Sequence, residues 1–363
     1  MRIQALYHVR SEAAAIAARA QGIAVEQSVE MPLSAVEDAR VMAEIVGQVE
    51  DIADAGNGVF AVRIGLAAET VGGDAGQLLN MLFGNTSLQD DVTLRDMTLP
   101  PEMTKKFHGP RHGLAGLRQR VRVTSGRALT CSALKPQGMP SDALASLAAR
   151  LARGGLDYIK DDHGLADQAY SPFTTRVRAI TAALRIATAE TGHPTRYIPS
   201  LSGDAGSMKS QVAVARAEGI DTVMLAPMVA GVSTMQSLVN AFPDMAFMAH
   251  PALGGVARIA PELLIGKLFP LFGADVVVFS THGGRFGYSA QTCLDLAANA
   301  RTIGHGSMPV PAGGISLART AEILDFYGPE TMLLIGGSLL DAKSRLTEET
   351  AAFTAAVAAH TYS

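Results

Sequence analysis

Cysteine is scarce in this chain: Cys131 and Cys293 are the only two among 363 residues. They are too few and too far apart for a disulfide framework or a zinc cluster, which points to two core side chains and a reducing cytoplasm. Basic runs are also missing. With a formal net charge of -4 and no lysine or arginine cluster, the chain is a poor fit to nucleic acid as a main partner. No stretch of about 18 uninterrupted apolar residues occurs, so no membrane span is expected, and Met1 leads into a strand-like run rather than a signal peptide. No glycine-rich dinucleotide fingerprint follows any strand-like segment. What the chain has in quantity is apolar residues, 48% of the total. That is enough to bury a large core, in a chain long enough for two domains.

From about Ala128 onward one rhythm repeats: a short apolar strand, a loop rich in Gly, Pro or polar residues, then an amphipathic helical pattern. Eight strand candidates emerge, at residues 129–135, 156–162, 196–202, 222–227, 246–250, 275–280, 308–312 and 332–335. Helical stretches such as 141–153, 172–191, 209–218 and 317–326 lie between them. Eight βα units in about 235 residues fit a TIM barrel, (β/α)8, with a doubly wound sheet as the rival. The earlier residues differ. Segments 2–9 and 59–67 read as strands, 13–20 and 77–83 as helices, and 41–52 as a long twisted strand. The expected division is an α+β, ferredoxin-like N-terminal domain over 1–115 and a barrel over 116–363, joined by an ordered Gly- and Pro-bearing connector at 101–121.

Barrel enzymes place their chemistry at the C-terminal ends of the strands, so the residues that end each strand are the informative ones. The second ends in Lys160-Asp161-Asp162-His163. Alternation along a strand sends Lys160 and Asp162 to one face and Asp161 to the other. A buried lysine is either paired or neutral. If neutral, it can add carbon dioxide to become a carbamate, an oxygen donor suited to magnesium. The plainer reading, a Lys-Asp ion pair, carries equal weight on these residues alone. Lys135 ends the first strand, His250 the fifth, and Arg285 follows the sixth among Gly283, Gly284 and Gly287. The last two end in Gly313-Gly314 and Gly336-Gly337, glycine pairs whose backbone N–H groups can approach a phosphate closely. His193 and His305 fall in loops away from this rim and receive no role. The alanine-rich stretch 347–360 reads as a surface helix.

These residues also carry a resemblance. Gly154-Gly155 through Lys160-Asp161-Asp162-His163 resembles the metal-site motif of the ribulose-bisphosphate carboxylase (RuBisCO) large chain. Lys135-Pro136 resembles that family's Lys-Pro-Lys at the first strand, the 107–113 segment Phe-His-Gly-Pro-Arg-His-Gly its domain-joining Gly-Pro-x-x-Gly segment, and Gly313-Gly314-Ile315 its phosphate-binding Gly-Gly-Ile. Glu26-Gln27-Ser28 and Gly84-Asn85 resemble segments that in that family reach into the neighbouring subunit's site. The departures are equally specific. His163 stands in place of a glutamate ligand, Gln137 replaces a lysine, and Pro251 follows His250 where the carboxylases have an arginine for a second phosphate. The mobile loop after the sixth strand lacks the lysine that carbon dioxide fixation requires.

The resemblance is therefore to the non-fixing RuBisCO-like branch. It implies enolisation of a small phosphorylated ketose, with Mg2+ held through carbamylated Lys160, Asp162 and His163. Lys135 is the expected base, His250 a second proton carrier and Arg285 a closing cation. Gly313, Gly314, Gly336 and Gly337 would grip phosphate. Glu26 and Asn85 would serve a partner subunit's site, which implies a homodimer. His163 has three open readings: metal ligand, general base, or hydrogen-bond partner of the carbamate. The expected reaction is of the 5-methylthioribulose-1-phosphate isomerase type. A 2,3-diketo-5-methylthiopentyl-1-phosphate enolase, a 3-oxo-isoapionate-4-phosphate decarboxylase or transcarboxylase-hydrolase, and a non-catalytic binding protein stand as alternatives.

Overall fold

The protein is described by a computed structural model over residues 1–123 and 126–362. Its N-terminal part is a four-stranded antiparallel sheet of β1 (Arg2–Arg10), β2 (Gln48–Asp54), β3 (Val59–Ala67) and β4 (Val92–Thr98), in the order β2-β3-β1-β4. Helices Ile16–Glu26 and Ala75–Phe83 follow β1 and β3, which completes the βαββαβ ferredoxin-like pattern. Strict alternation in β1 buries Ile3, Ala5, Tyr7 and Val9 against them. The Tyr7 hydroxyl, taken out of water, donates to the Leu82 carbonyl at 2.6 Å.

One expectation for this part fails. Residues 41–52 are not one long strand: Val41–Ile45 is a helical turn, and β2 begins only at Gln48. The chain bends at Val46, and at Gly47 a Cβ would overlap the Ala24 carbonyl, so the apolar run is split around a close helix contact.

The remainder is a closed ring of eight parallel strands. They are β5 (Leu129–Leu134), β6 (Tyr158–Asp161), β7 (Arg196–Ile198), β8 (Thr222–Leu225), β9 (Ala246–Ala249), β10 (Val276–Ser280), β11 (Met308–Ala312) and β12 (Met332–Leu334). Regular ladders run β12-β5-β6-β7 and β8-β9-β10-β11. The first joint between them is made by the Met224 N–H on the Pro199 carbonyl at 2.9 Å and the Leu201 N–H on the Met224 carbonyl at 2.7 Å. The second, between β11 and β12, is made differently. Thr331 Oγ1 donates to the Pro309 carbonyl at 3.0 Å, so Pro309, and Pro311 two residues on, turn their ring nitrogens toward β12. Neither has an N–H to give, which explains the missing ladder.

Inward residues of this ring, among them Tyr158, Met224, Met248, Met308 and Met332, form a packed core. Its N-terminal end is plugged by helix Gly113–Arg120. Leu117 of that helix joins the barrel core, and its carbonyl accepts from the Tyr158 hydroxyl at 2.8 Å. Asp275 fixes the connector by accepting from the N–H groups of His112 at 2.7 Å and Gly113 at 2.9 Å. Helix Leu346–Ala359, expected to lie on the surface, buries Leu346, Thr350, Phe353 and Val357 along one face. The spacing of these four is helical, and the alanines between them face outward. The opposite, C-terminal rim is open.

Candidate active site

That rim holds a cavity of about 930 Å³. Lining it are Lys135, Lys160, Asp162, His163, His250, Arg285, Gly313, Gly314, Gly336 and Gly337, so ten of the sequence-predicted residues meet in one place. Glu26 and Asn85 do not line it. They sit together in the N-terminal part, where Asn85 Nδ2 donates to Glu26 Oε1 at 3.0 Å and to Glu30 Oε1 at 2.8 Å.

The end of β6 sorts its charges by strand alternation, as expected. Asp161 turns outward and is fully buried against Arg176 at 3.2 Å, with Tyr197 Oη and the Ser200 N–H also donating to it. Lys160 and Asp162 turn into the cavity. Lys160 does not pair with either aspartate side chain; its Nζ donates to the Asp161 carbonyl at 2.7 Å. Burial pushes its pKa down, toward the free amine that carbon dioxide addition requires.

Asp162 is paired instead with Lys135, whose ammonium contacts Oδ2. Its Oδ1 accepts from the Gly164 N–H at 3.0 Å and Gln137 Nε2 at 3.4 Å. Burial works to raise this carboxyl's pKa, but the Lys135 hydrogen bond and the Gly164 N–H outweigh it and hold it well below the usual carboxylate range. Asp162 is thus an anion at any working pH. The sequence reading missed this pair because its partners lie on different strands.

The two histidines form a second unit. The rings of His163 and His250 stack with centroids 4.3 Å apart and planes 7° apart. His250 is the more buried of the two. Burial, reinforced by the basic groups Lys160 and His163 beside it, brings its pKa down to about 3, so it is neutral. Its Nδ1 accepts from the Ala252 N–H at 3.2 Å, which leaves the proton on Nε2. His163 Nδ1 lies 3.4 Å from Asp162 Oδ1, and burial lowers its pKa as well.

The glycines divide into two kinds. A Cβ on Gly336 or Gly337 would meet nothing within 4 Å, so these residues leave space rather than relieve a clash with the chain. Gly313 and Gly314 instead have positive φ, 79° and 137°, and Gly314 packs against the backbone of Gly284. Arg285 lies exposed on the rim with its guanidinium 5.4 Å from the Phe286 ring centroid. The apolar part of the lining, including Leu253, Phe286, Tyr288 and Leu334, had no sequence signal separating it from core.

Among the described residues no three His, Cys, Asp or Glu side chains gather closely enough to hold a metal unaided. Magnesium here would depend on oxygens gained by the Lys160 amine. The donor chemistry fits on that condition, with an ionised carboxylate, a buried amine biased toward neutrality, and an imidazole alongside.

A ferredoxin-like domain ahead of a barrel, with lysines and an aspartate at the ends of the first two barrel strands and paired glycines after the last two, defines the class of the RuBisCO large chain. Residues 113–262 match the family described as ribulose bisphosphate carboxylase large chain, catalytic domain. The 5-methylthioribulose-1-phosphate isomerase of Rhodospirillum rubrum is 57% identical, over 98% of this chain and 96% of that protein. The 2,3-diketo-5-methylthiopentyl-1-phosphate enolase of Geobacillus kaustophilus is 32% identical, over 77% and 70%. The crystal structure of a RuBisCO-like protein from Rhodopseudomonas palustris superposes with a TM-score of 0.92 at 50% identity, over 98% of this chain and 97% of that one. The chain belongs to the RuBisCO-like proteins, the type IV branch of the RuBisCO large-chain family.

Proposed function

We propose that this chain catalyses metal-assisted proton transfer on a phosphorylated ketose, of the 5-methylthioribulose-1-phosphate isomerase type, in sulfur salvage. The observation that carries the reading is the meeting of Lys135, Lys160, Asp162 and His250 with two glycine pairs in one cavity. Backbone N–H groups at Gly313, Gly314, Gly336 and Gly337 bind the phosphate. Pro251, Ala252 and Leu253 line the wall where a second phosphate would need a cation, which suits a monophosphate with an apolar tail.

Lys160 as its carbamate, Asp162 and His163 are the residues that would hold Mg2+. Bound there, the ion would stabilise negative charge on the substrate oxygens as the proton leaves carbon. Displaced from Asp162 by the substrate, Lys135 loses the stabilising carboxylate, gives its extra proton to solvent, and as the free amine takes the carbon-bound proton and returns it. His250, with its proton on Nε2, donates a hydrogen bond to a substrate oxygen and does not act as the carbon base. Arg285 closes over the bound substrate. Glu26 and Asn85, remote from their own cavity, complete the cavity of a second copy, so the working unit is a homodimer. No helix among the described residues is long and apolar enough to cross a membrane, and two free cysteines suit a reducing cytoplasm.

The enolase reading is the second candidate, favoured by the relatives of that name. Incubating the protein with each phosphate ester, with magnesium and bicarbonate present, separates the two. Phosphorus NMR is expected to show a rearranged ester from 5-methylthioribulose 1-phosphate and no change in the diketo ester. Turnover of the diketo ester alone would transfer the assignment to the enolase.

A further inference from the structure

Arg319 lies just behind the rim, outside the cavity lining, and makes an unusual set of contacts. Its guanidinium donates to three backbone carbonyls: Gly314 at 3.1 Å, Gly283 at 3.4 Å and His282 at 3.3 Å. The first belongs to the loop after β11 and the other two to the loop after β10. Glu322 holds the same guanidinium from the far side, at 2.9 Å to Nε and 2.6 Å to a terminal nitrogen. A planar fork with five donors is the side chain that can bridge so many acceptors in one fixed geometry.

The two loops also touch directly. The Arg285 N–H donates to the Gly313 carbonyl, and the Thr281 N–H to the Ala312 carbonyl, both at 2.9 Å. A Cβ on Gly284 would overlap the Gly313 carbonyl, and a Cβ on Gly313 would come within 3.3 Å of the Phe286 ring. The backbones are therefore in contact with no side chain between them. Because a trans peptide points its C=O and the following N–H in opposite directions, drawing the Gly314 carbonyl to Arg319 turns the Ile315 N–H away from it. Ile315 is a cavity-lining residue.

We propose that Arg319, held by Glu322, is a positioning residue that locks the β10 and β11 loops into one body, so that phosphate bound at Gly313 and Gly314 also orders Arg285 and Phe286. The proposal rests on the phosphate reading above and adds a specific route by which phosphate reaches the closing arginine. Neither Arg319 nor Glu322 touches substrate.

Hydrogen exchange followed by mass spectrometry tests it on the full-length protein, with inorganic phosphate as the probe. In the unliganded protein, Arg319→Gln is expected to speed exchange in residues 281–287 on the order of tenfold, the worth of one hydrogen bond to a charged group, while β5 to β8 stay unchanged. Saturating phosphate is expected to slow both 281–287 and 313–316 in the parent protein, but only 313–316 in the variant. Unchanged exchange at 281–287 in the unliganded variant, or equal protection of both segments there, overturns the proposal. Absence of any phosphate protection in the parent protein overturns the phosphate reading instead, and the unliganded comparison still decides on Arg319. Should Arg319→Gln not fold, Glu322→Gln frees the same guanidinium and is expected to loosen the same segment to a smaller degree.

Discussion

At the scale of single residues, the site is built from groups whose ionisation is set by their neighbours, and the fold contains a further such group far from it. Asp157 at the bottom of the barrel is fully buried, receives Arg127 on both oxygens at 2.7 and 2.8 Å, and is approached by His193 at 3.3 Å. Burial opposes its charge, but the Arg127 hydrogen bond wins and the carboxyl is held at about 2. A depressed carboxyl adds stability that is complete above its unfolded pKa, near pH 4, and is lost as the pH falls through about 2. The expected loss is ~2 kcal/mol over that window. It is to be read from urea midpoints against pH, with the acid limb flattened in Asp157→Asn. His163 gives a second prediction. Replacing its imidazole with a hard oxygen donor in His163→Glu is expected to tighten magnesium binding about tenfold in calorimetry with bicarbonate present. Unchanged affinity would mean that His163 stands outside the metal's donor set.

At the scale of elements, the paired glycines separate backbone need from ligand need. Gly314→Ala forces a Cβ at φ 137° onto Gly284, so it is expected to lower thermal stability by several degrees, ~2 kcal/mol. Gly337→Ala meets only open space in the chain. It is expected to melt within about 1 °C of the parent, yet raise KM for the phosphorylated substrate roughly tenfold. Equal melting losses in both would remove the argument that the space at Gly337 is kept for phosphate.

The elements also show what could be read from the chain alone. Strand ends were legible because alternation and breaker residues mark them: Lys160 and Asp162 face the cavity and Asp161 faces Arg176, as period-two spacing requires. Segment 41–52 was not, because a mixed apolar run fits a turn or a strand and the close approach of Gly47 to Ala24 decides between them. The Lys135–Asp162 pair and the His163–His250 stack were hidden for a related reason. Each joins residues from different strands, and their spacing along the chain says nothing of it. Arg319 was invisible because it acts through carbonyls, which every residue type has.

At the scale of the whole molecule, the claim that concerns assembly is that one chain cannot complete its own cavity. Glu26 and Asn85 are held together by hydrogen bonds in the N-terminal part, outside the cavity. Glu26→Ala and Lys135→Ala are each expected to be inactive alone and to regain activity when mixed and allowed to exchange subunits. A shared site gives each mixed dimer one intact cavity, roughly a quarter of parent activity in an equal mixture. No recovery would confine the site to a single chain.

The most direct measurement is deuterium uptake from heavy water into 5-methylthioribulose 1-phosphate, followed by proton NMR in the presence of magnesium and bicarbonate. Uptake at the carbon beside the carbonyl is expected with the parent protein, with a loss of about a thousandfold or more in Lys135→Ala and in Asp162→Asn. Uptake that persists in both variants, or a parent protein that exchanges no carbon-bound hydrogen, would contradict proton transfer at this cavity.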